Sequence, residues 1–311
     1  MQNWLQALNL TLLLAAALRS ATPILYAALG GIFSERSGVL NIGLEGMMLI
    51  SAFTAVVGSY FTGNPWIGVL AGVASGLLTG FIHAFMCINL RADQAIVGTG
   101  INIIGVGLPN FLLLKIWGQQ GITPIVERIP EWRIPILADL PVIGPILGQQ
   151  SPLVYLALIL VPASWFLLFR TPFGLRLRSV GEQPHAAETV GISVYAMRYS
   201  GVLLSGVLAA LGGAFLSVSY LAQFVTVMTA GRGFIGLAAM IFGRWNPVGA
   251  LFACLLFGFA DALQAAAQAA SVPIAPQFLL ALPYVLTIVA LVGAMGRATP
   301  PAYVAKPYEK A

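Results

Sequence analysis

Apolar runs close to twenty residues long recur from one end of this 311-residue chain to the other, and that recurrence restricts the fold more than any other feature. A hydrocarbon core takes about 20 residues of α-helix to cross, and it offers backbone polar groups no partner outside the helix. A chain built of many such runs folds as an all-α, polytopic membrane protein. Composition agrees, with 8% charged residues where soluble domains carry about 25%. The runs predict nine spans, at 8–32, 38–58, 66–89, 93–116, 152–169, 199–220, 229–243, 247–269 and 277–295. The first follows an uncharged MQNW without a cleavage site, so it is expected to stay as a span and not be removed as a signal peptide. The net charge of +5 comes from basic residues scattered mostly singly at span ends, which is an orientation signal and excludes a nucleic-acid-binding patch. Cys87 and Cys254, each inside an apolar run, read as packing residues.

Two polar intervals stand out. Residues 170–198, RTPFGLRLRSVGEQPHAAETVGISVYAMR, form the longest strongly polar stretch. Pro184 suits a first helical turn, Gly191 suits a helix stop, and Ala186, Ala187 and Val190 fall on one side between them. A helix of two turns is not stable alone, so this one either docks on another protein or belongs to a solvated loop. If the stretch is cytoplasmic, alternation puts Arg36, Arg91, Arg170, Arg176, Arg178, Arg198, Arg244, Arg297, Lys306 and Lys310 inside, against Lys115, Arg128, Arg133 and Arg232 outside. That asymmetry predicts an outer N-terminus and an inner C-terminus. Arg19 interrupts the first run and suggests a span starting nearer Ser20. The outer interval, 117–151, holds five prolines and the charges Glu127, Arg128, Glu131, Arg133 and Asp139. It is either a partner-docking surface or a lid over the bundle, and the alternating charge favours docking.

The chain also repeats itself. AALGGIF at 27–33 recurs as AALGGAF at 209–215, NIGLEGMMLI at 41–50 aligns with FIGLAAMIFG at 234–243, and Asn64-Pro65 recurs as Asn246-Pro247. Under the topology above, the halves at about 20–90 and 200–270 run in opposite directions, the inverted repeat from which alternating-access transporters build a central pathway. Each half carries a Gly-broken segment, SERSGVLNIG and TAGRGFIG, where a discontinuous helix would line that pathway. Gly68, Gly72, Gly76 and Gly80 make a stripe along the third span that reads as helix packing.

Polar residues inside spans are costly and are expected to face the bundle. Asn41 and Glu45 are read as one face of the second span, and Gln94, Gly98 and Asn102 as one face of the fourth. Asn41, Glu45, Gln94 and Asn102 are the candidates for lining a translocation pathway, with hydrogen bonding between helices as the other reading. Asp261, alone in the eighth span, reads as solvated. The chain has no G-x-x-x-x-G-K-[ST], H-E-x-x-H or G-x-S-x-G, so neither enzymatic chemistry nor a cofactor is expected.

The run F-G-x-x-x-R-x-x-G-x-x-P-x-A-A-x-x-x-G-I, here Phe173, Gly174, Arg178, Gly181, Pro184, Ala186, Ala187, Gly191 and Ile192, resembles the coupling segment of ABC-importer permeases of the ribose and branched-chain amino-acid type. ERSGVLNIGLEGMMLI at 35–50, DQAIVGTGINIIGVGL at 93–108 and GRGFIGLAAMIFGRWNPVGALFACLLFGFADALQ at 231–264 are similar to its nucleoside-uptake branch. The resemblance implies a permease subunit of a nucleoside importer in the cytoplasmic membrane. Its implied partners are a separate ATPase inside, a second permease subunit that is a paralogue or a copy of itself, and a substrate-binding lipoprotein outside. It implies that Gly181, Glu182, Gln183, Pro184, Ala186, Ala187 and Gly191 take up the movement of the ATPase. Gln183 departs from the Asn usual in that pattern and is a poorer helix cap. A sugar or branched-chain amino-acid permease is one alternative, and an ion-coupled secondary transporter using Glu45 as its ion ligand is another.

Overall fold

The computed structural model describes residues 10–140, 143–270, 281, 285 and 299–309. Its helices are α1 (Leu10–Arg36), α2 (Leu44–Thr62), α3 (Pro65–Ala84, carried on to Asn89 as π-helix), α4 (Gln94–Trp117), α5 (Pro135–Ala138), α6 (Pro152–Arg170), α7 (Pro172–Glu182), α8 (Pro184–Thr189), α9 (Val194–Ala214, carried on to Leu221 as π-helix), α10 (Arg232–Phe242) and α11 (Pro247–Ala269). Two short strands, β1 (Trp132–Arg133) and β2 (Gln149–Gln150), pair antiparallel. Local chemistry sets the helix starts. Asn64-Pro65, Ser151-Pro152, Thr171-Pro172 and Asn246-Pro247 each place a capping oxygen before a proline whose missing N–H costs the first turn nothing. The four side chains accept from the N–H groups of Trp66, Leu153, Gly174 and Val248.

Among the described residues, seven helices are long and apolar enough to cross a membrane: α1, α2, α3, α4, α6, α9 and α11. The expected nine spans are corrected at one place. The seventh, 229–243, is the 11-residue α10, about 16 Å long at 1.5 Å per residue, because residues 222–231 before it stay non-helical. The ninth, 277–295, lies outside the described residues apart from positions 281 and 285. The second span also begins later than expected, at Leu44, after a non-helical segment at 37–43. Asn41 therefore lies before α2 and does not share a helical face with Glu45.

The centre of the bundle is α1, α2 and α9, with 78% of the α9 span buried against 33% of α3. Around it, α11 packs along α1, α3 packs along both α2 and α9, and α4 packs on α2. The glycine stripe of α3 does what its spacing predicts. A methyl at Gly68 would meet Ala55 and Ser59 of α2, and one at Gly76 would meet Ala210 and the Gly206 carbonyl of α9. Lipid tails provide little drive for helices to associate, so such backbone contacts supply the packing.

The 117–151 interval lies over the chain's own bundle. Its backbone N–H groups at Thr123, Val126 and Ile129 donate to the carbonyls of Phe224, Ala222 and Val218 at 3.0, 2.8 and 3.1 Å. Arg128 Nε donates to Ser219 O at 2.6 Å. The alternating charges, read from sequence as a docking signal, are used within the loop: Arg128 pairs with Glu131 at 3.8 Å and Arg133 with Asp139 at 3.3 Å. Arg19 lines a cleft against this loop with Glu131 and Arg133, which places polar surface at the depth where the first span was expected to begin.

A Gly76→Val substitution drives a branched side chain into α9, and overpacking of this kind costs on the order of 1–3 kcal/mol. We expect the solubilised protein to lose thermal stability in a fluorescence size-exclusion assay. Gly107→Ala, where an added methyl meets nothing within 4 Å, should match the parent chain.

Candidate functional site

Two stretches of non-helical backbone, 37–43 and 222–231, lie among the spanning helices. Backbone polar groups at that depth need partners from the protein. The four candidate pathway residues supply most of them. Gln94 Oε1 accepts from Leu40 N–H at 2.7 Å, and His83 Nε2 lies 3.0 Å from Leu40 O. Asn102 accepts from Gly46 N–H at 2.8 Å and donates to Ile42 O at 3.1 Å. Asn41 accepts from Gly43 N–H at 3.1 Å and donates to Ser205 Oγ at 2.9 Å, which ties the break to α9. All four lie in or against the same break, and Gln94, Gly98 and Asn102 share one face of α4 as expected. Each of the four hydrogen-bonds within the bundle.

Glu45 reaches across to the second break. Its Oε1 accepts from Thr229 Oγ1 at 2.5 Å and from Gly231 N–H at 2.8 Å, and its Oε2 accepts from Gly233 N–H at 2.7 Å. Gly231 and Gly233 open α10, so the carboxylate sits on the N–H groups that a helix start leaves unpaired, at the positive end of the helix dipole. Glu45 is 6% exposed, in the bundle interior as expected. Only glycine fits at 233, where an added Cβ would lie 2.6 Å from the Glu45 backbone. Arg232 between them pairs with Asp261 at 3.2 Å, which corrects the reading of Asp261 as a lone solvated carboxylate. The partners Thr229 and Ser205 were not singled out from sequence, because a lone hydroxyl residue in an apolar run carries no signal of what it faces.

The 170–198 interval holds two helices, α7 and α8, where one was expected. Thr171 caps α7 and Pro172 opens it, a signal as legible as Pro184. In α8, Pro184 occupies the first turn, Gln183 provides no side-chain cap, and Gly191 follows with φ +81°, as a helix stop requires. The expected face is corrected. Ala187, 4% exposed, packs inward on Val180, Val194 and Tyr308, whereas Ala186 is exposed and Val190 is 73% exposed. Gly181 is buried against Arg36, and Glu182 and Gln183 are exposed.

Residues 299–309 strap this pair of helices down. Tyr303 N–H donates to Gly181 O at 2.9 Å, Ala302 N–H donates to Glu182 Oε2 at 3.1 Å, and the Tyr308 hydroxyl donates to Glu188. The guanidinium of Arg198, 1% exposed, lies 6.0 and 5.7 Å from the centres of the Tyr303 and Tyr308 rings and donates to Lys306 O at 3.3 Å. Arg91, ahead of α4, pairs with Glu309 at 2.5 Å. On the same side, Trp245 Nε1 donates to Glu35 Oε2 at 2.6 Å and Arg36 donates to the carbonyl of Trp245 at 3.1 Å, joining the end of α1 to the turn after α10.

Replacing Glu45 by Ala leaves two N–H groups and a hydroxyl unpaired in the interior, at about 1–3 kcal/mol each. A large fall in melting temperature of the solubilised protein is expected, with Glu45→Gln, which keeps one acceptor oxygen, falling between the two.

A family model described as branched-chain amino acid transport system / permease component matches residues 13–291. The chain is 45% identical to the guanosine ABC transporter permease protein NupQ of Bacillus subtilis, over 97% of each chain. It is 44% identical to the nucleoside ABC transporter permease protein NupC of Lactococcus lactis, over 94% of this chain and 95% of the relative. A putative glucose ABC transporter permease protein, TsgC13 of Haloferax volcanii, is 40% identical over 86% of this chain and 82% of its own length. Bacillus subtilis also holds a more distant relative, the guanosine permease protein NupP, 29% identical over 78% of this chain and 70% of that one. The match runs through both broken segments and the strapped helix pair alike, and the chain belongs to the family of branched-chain amino acid transport system permease components.

Proposed function

We propose that this chain is one of two related permease subunits of an importer for nucleosides in the cytoplasmic membrane, driven by a separate ATPase and supplied by an extracytoplasmic binding lipoprotein. The observation that carries the substrate is the near-complete alignment with two relatives named for guanosine and nucleosides. Two guanosine permeases of unequal similarity in one organism support a paralogue, and not a second copy, as the other half of the pore. The orientation has the N-terminus outside and the C-terminus with α7 and α8 inside. The inverted repeat is supported by exchanged packing, since α3 of the first half lies on α9 and α11 of the second lies on α1. The paired Asn-Pro caps at Asn64 and Asn246 also support it.

Against the ion-coupled alternative, the three hydrogen bonds that Glu45 accepts favour a structural role for its carboxylate. The glucose relative keeps a sugar substrate as the second reading. Uptake of labelled guanosine, glucose and leucine by a strain deleted for the chain separates them. Guanosine uptake alone should be lost, it should return with the plasmid-borne gene, and it should stop on ATP depletion. Loss of glucose uptake with guanosine uptake intact overturns the assignment.

Ala186, Val190 and the exposed Glu182 and Gln183 form the surface offered to the ATPase, Pro184 and Gly191 frame it, and Gly181 and Ala187 hold it from beneath. Ala186→Trp should reduce uptake and ATPase co-purification by about tenfold or more, the scale of one interface anchor, with thermal stability of the permease unchanged. Ala187→Trp should instead lower that stability, because it fills the chain's own core. Normal uptake and co-purification by Ala186→Trp would show that the ATPase docks elsewhere.

A further inference from the structure

The four polar candidates hydrogen-bond within the bundle, and a further set of polar side chains lies apart from them. A cavity of about 600 Å³ opens on the surface of the bundle, lined by Asn110, Phe111 and Leu114 of α4, by Gln120 and Gly121 after it, and by Thr226. The volume falls within the range usual for small-molecule sites. It lies at the far end of α4 from the coupling helices. The Arg91–Glu309 pair holds the start of α4 against the strap, and sixteen residues from Gln94 to Asn110 advance about 24 Å.

The chemistry of the lining is selective. Thr226 Oγ1 donates to Asn110 Oδ1 at 2.6 Å, and Asn110 Nδ2 donates to Val106 O at 2.9 Å. Those bonds leave the Asn110 amide one donor and one acceptor, and the Gln120 amide has no partner among the described residues. Beside them the Phe111 ring is 57% exposed. Amides with a matched donor and acceptor read the edge of a planar base, and an aromatic face stacks on it. None of the six lining residues is charged, and the Lys115 ammonium lies beside them, 5.8 Å from the centre of the Phe111 ring.

The wall that carries Thr226 is held in costly conformations. Val227 and Ala230 have φ values of +58° and +48°, unfavourable for residues with a Cβ and most of all for a β-branched one. Strain of this kind persists where the surroundings over-determine it, and it clusters at ligand sites. Here the surroundings are the Thr226 N–H to Gly121 O bond at 2.8 Å on one side and the Glu45 cap at Thr229 on the other.

We infer that Asn110, Phe111, Gln120 and Thr226 form the outer contact site for the nucleoside on its way through the permease, with the base held by the amides and stacked on Phe111. The inference rests on the reading of the chain as a nucleoside importer subunit.

The test uses the complete importer in cells. Both native thiols are buried, Cys87 at 2% and Cys254 at 0% exposure, so an introduced cysteine is read against a quiet background. Thr226→Cys and Phe111→Cys should react with a hydrophilic, membrane-impermeant maleimide added outside. Leu113→Cys, at 0% exposure on the buried face of α4, serves as the control and should not react. Saturating guanosine should slow the reaction at 111 and 226 about tenfold, and glucose and leucine should leave it unchanged. Asn110→Leu should lower guanosine uptake by about tenfold while guanosine binding by the lipoprotein stays as in the parent strain, the size expected for losing one base-reading amide. Absence of labelling at both positions, or labelling that guanosine does not slow, overturns the site. Protection by glucose in place of guanosine keeps the cavity but overturns the nucleoside reading, and a parent strain that imports no guanosine at all does the same independently of the labelling.

Discussion

The carboxylate of Glu45 is the contact on which the arrangement of broken backbone depends. It lies one residue into α2, directly after the first break, and it caps α10, directly after the second. A helix start buried in a bundle brings N–H groups that neither lipid nor water can satisfy, and a half-length helix such as α10 has no hydrophobic span of its own to fix its depth. One charge-assisted acceptor shared by Thr229, Gly231 and Gly233 settles both matters. The depth at which α10 begins is thereby set by α2, and the two non-helical segments hold a fixed relation to each other.

The first break is completed by amides from one face of α4 and by His83 of α3. Their side chains stand in for the backbone ladder that a continuous helix would have had. The second break is completed by the 121–129 stretch, which runs antiparallel to 218–226 and gives the end of the α9 π-helix its missing donors. Each interruption is thus matched by polar groups from neighbouring elements, and the 117–151 loop is long because it has to reach the second one.

Much of this was legible in the sequence. Length and hydropathy gave the spanning helices, the four-residue glycine spacing gave the α3 packing face, and the cost of polar groups in hydrocarbon placed Glu45, Gln94 and Asn102 inside. The face of α8 was not legible. Ala186 and Ala187 are chemically identical, and which of them turns inward is decided by Tyr308, more than a hundred residues downstream. Asn41 was assigned to a helix because NIGLEGMM has the apolar character of a span, while the break that contains it is maintained by partners on α3, α4 and α9 that no local pattern reveals. The cavity at Asn110 was missed for a related reason: its polar residues come from α4, from the loop after it and from the second break, and none of the three segments is polar enough alone to attract notice.

The strap formed by residues 299–309 puts the last part of the chain in charge of a surface encoded much earlier. His185 lies 3.2 Å from the Tyr303 hydroxyl across 118 residues of sequence. During synthesis α7 and α8 leave the ribosome well before the tyrosines that hold them, so the helix pair takes its final form only after Tyr303 and Tyr308 have been added. A chain that stopped short of Tyr303 would leave α7 and α8 unbraced, which makes the strap a condition on the shape of that surface as well as a brace.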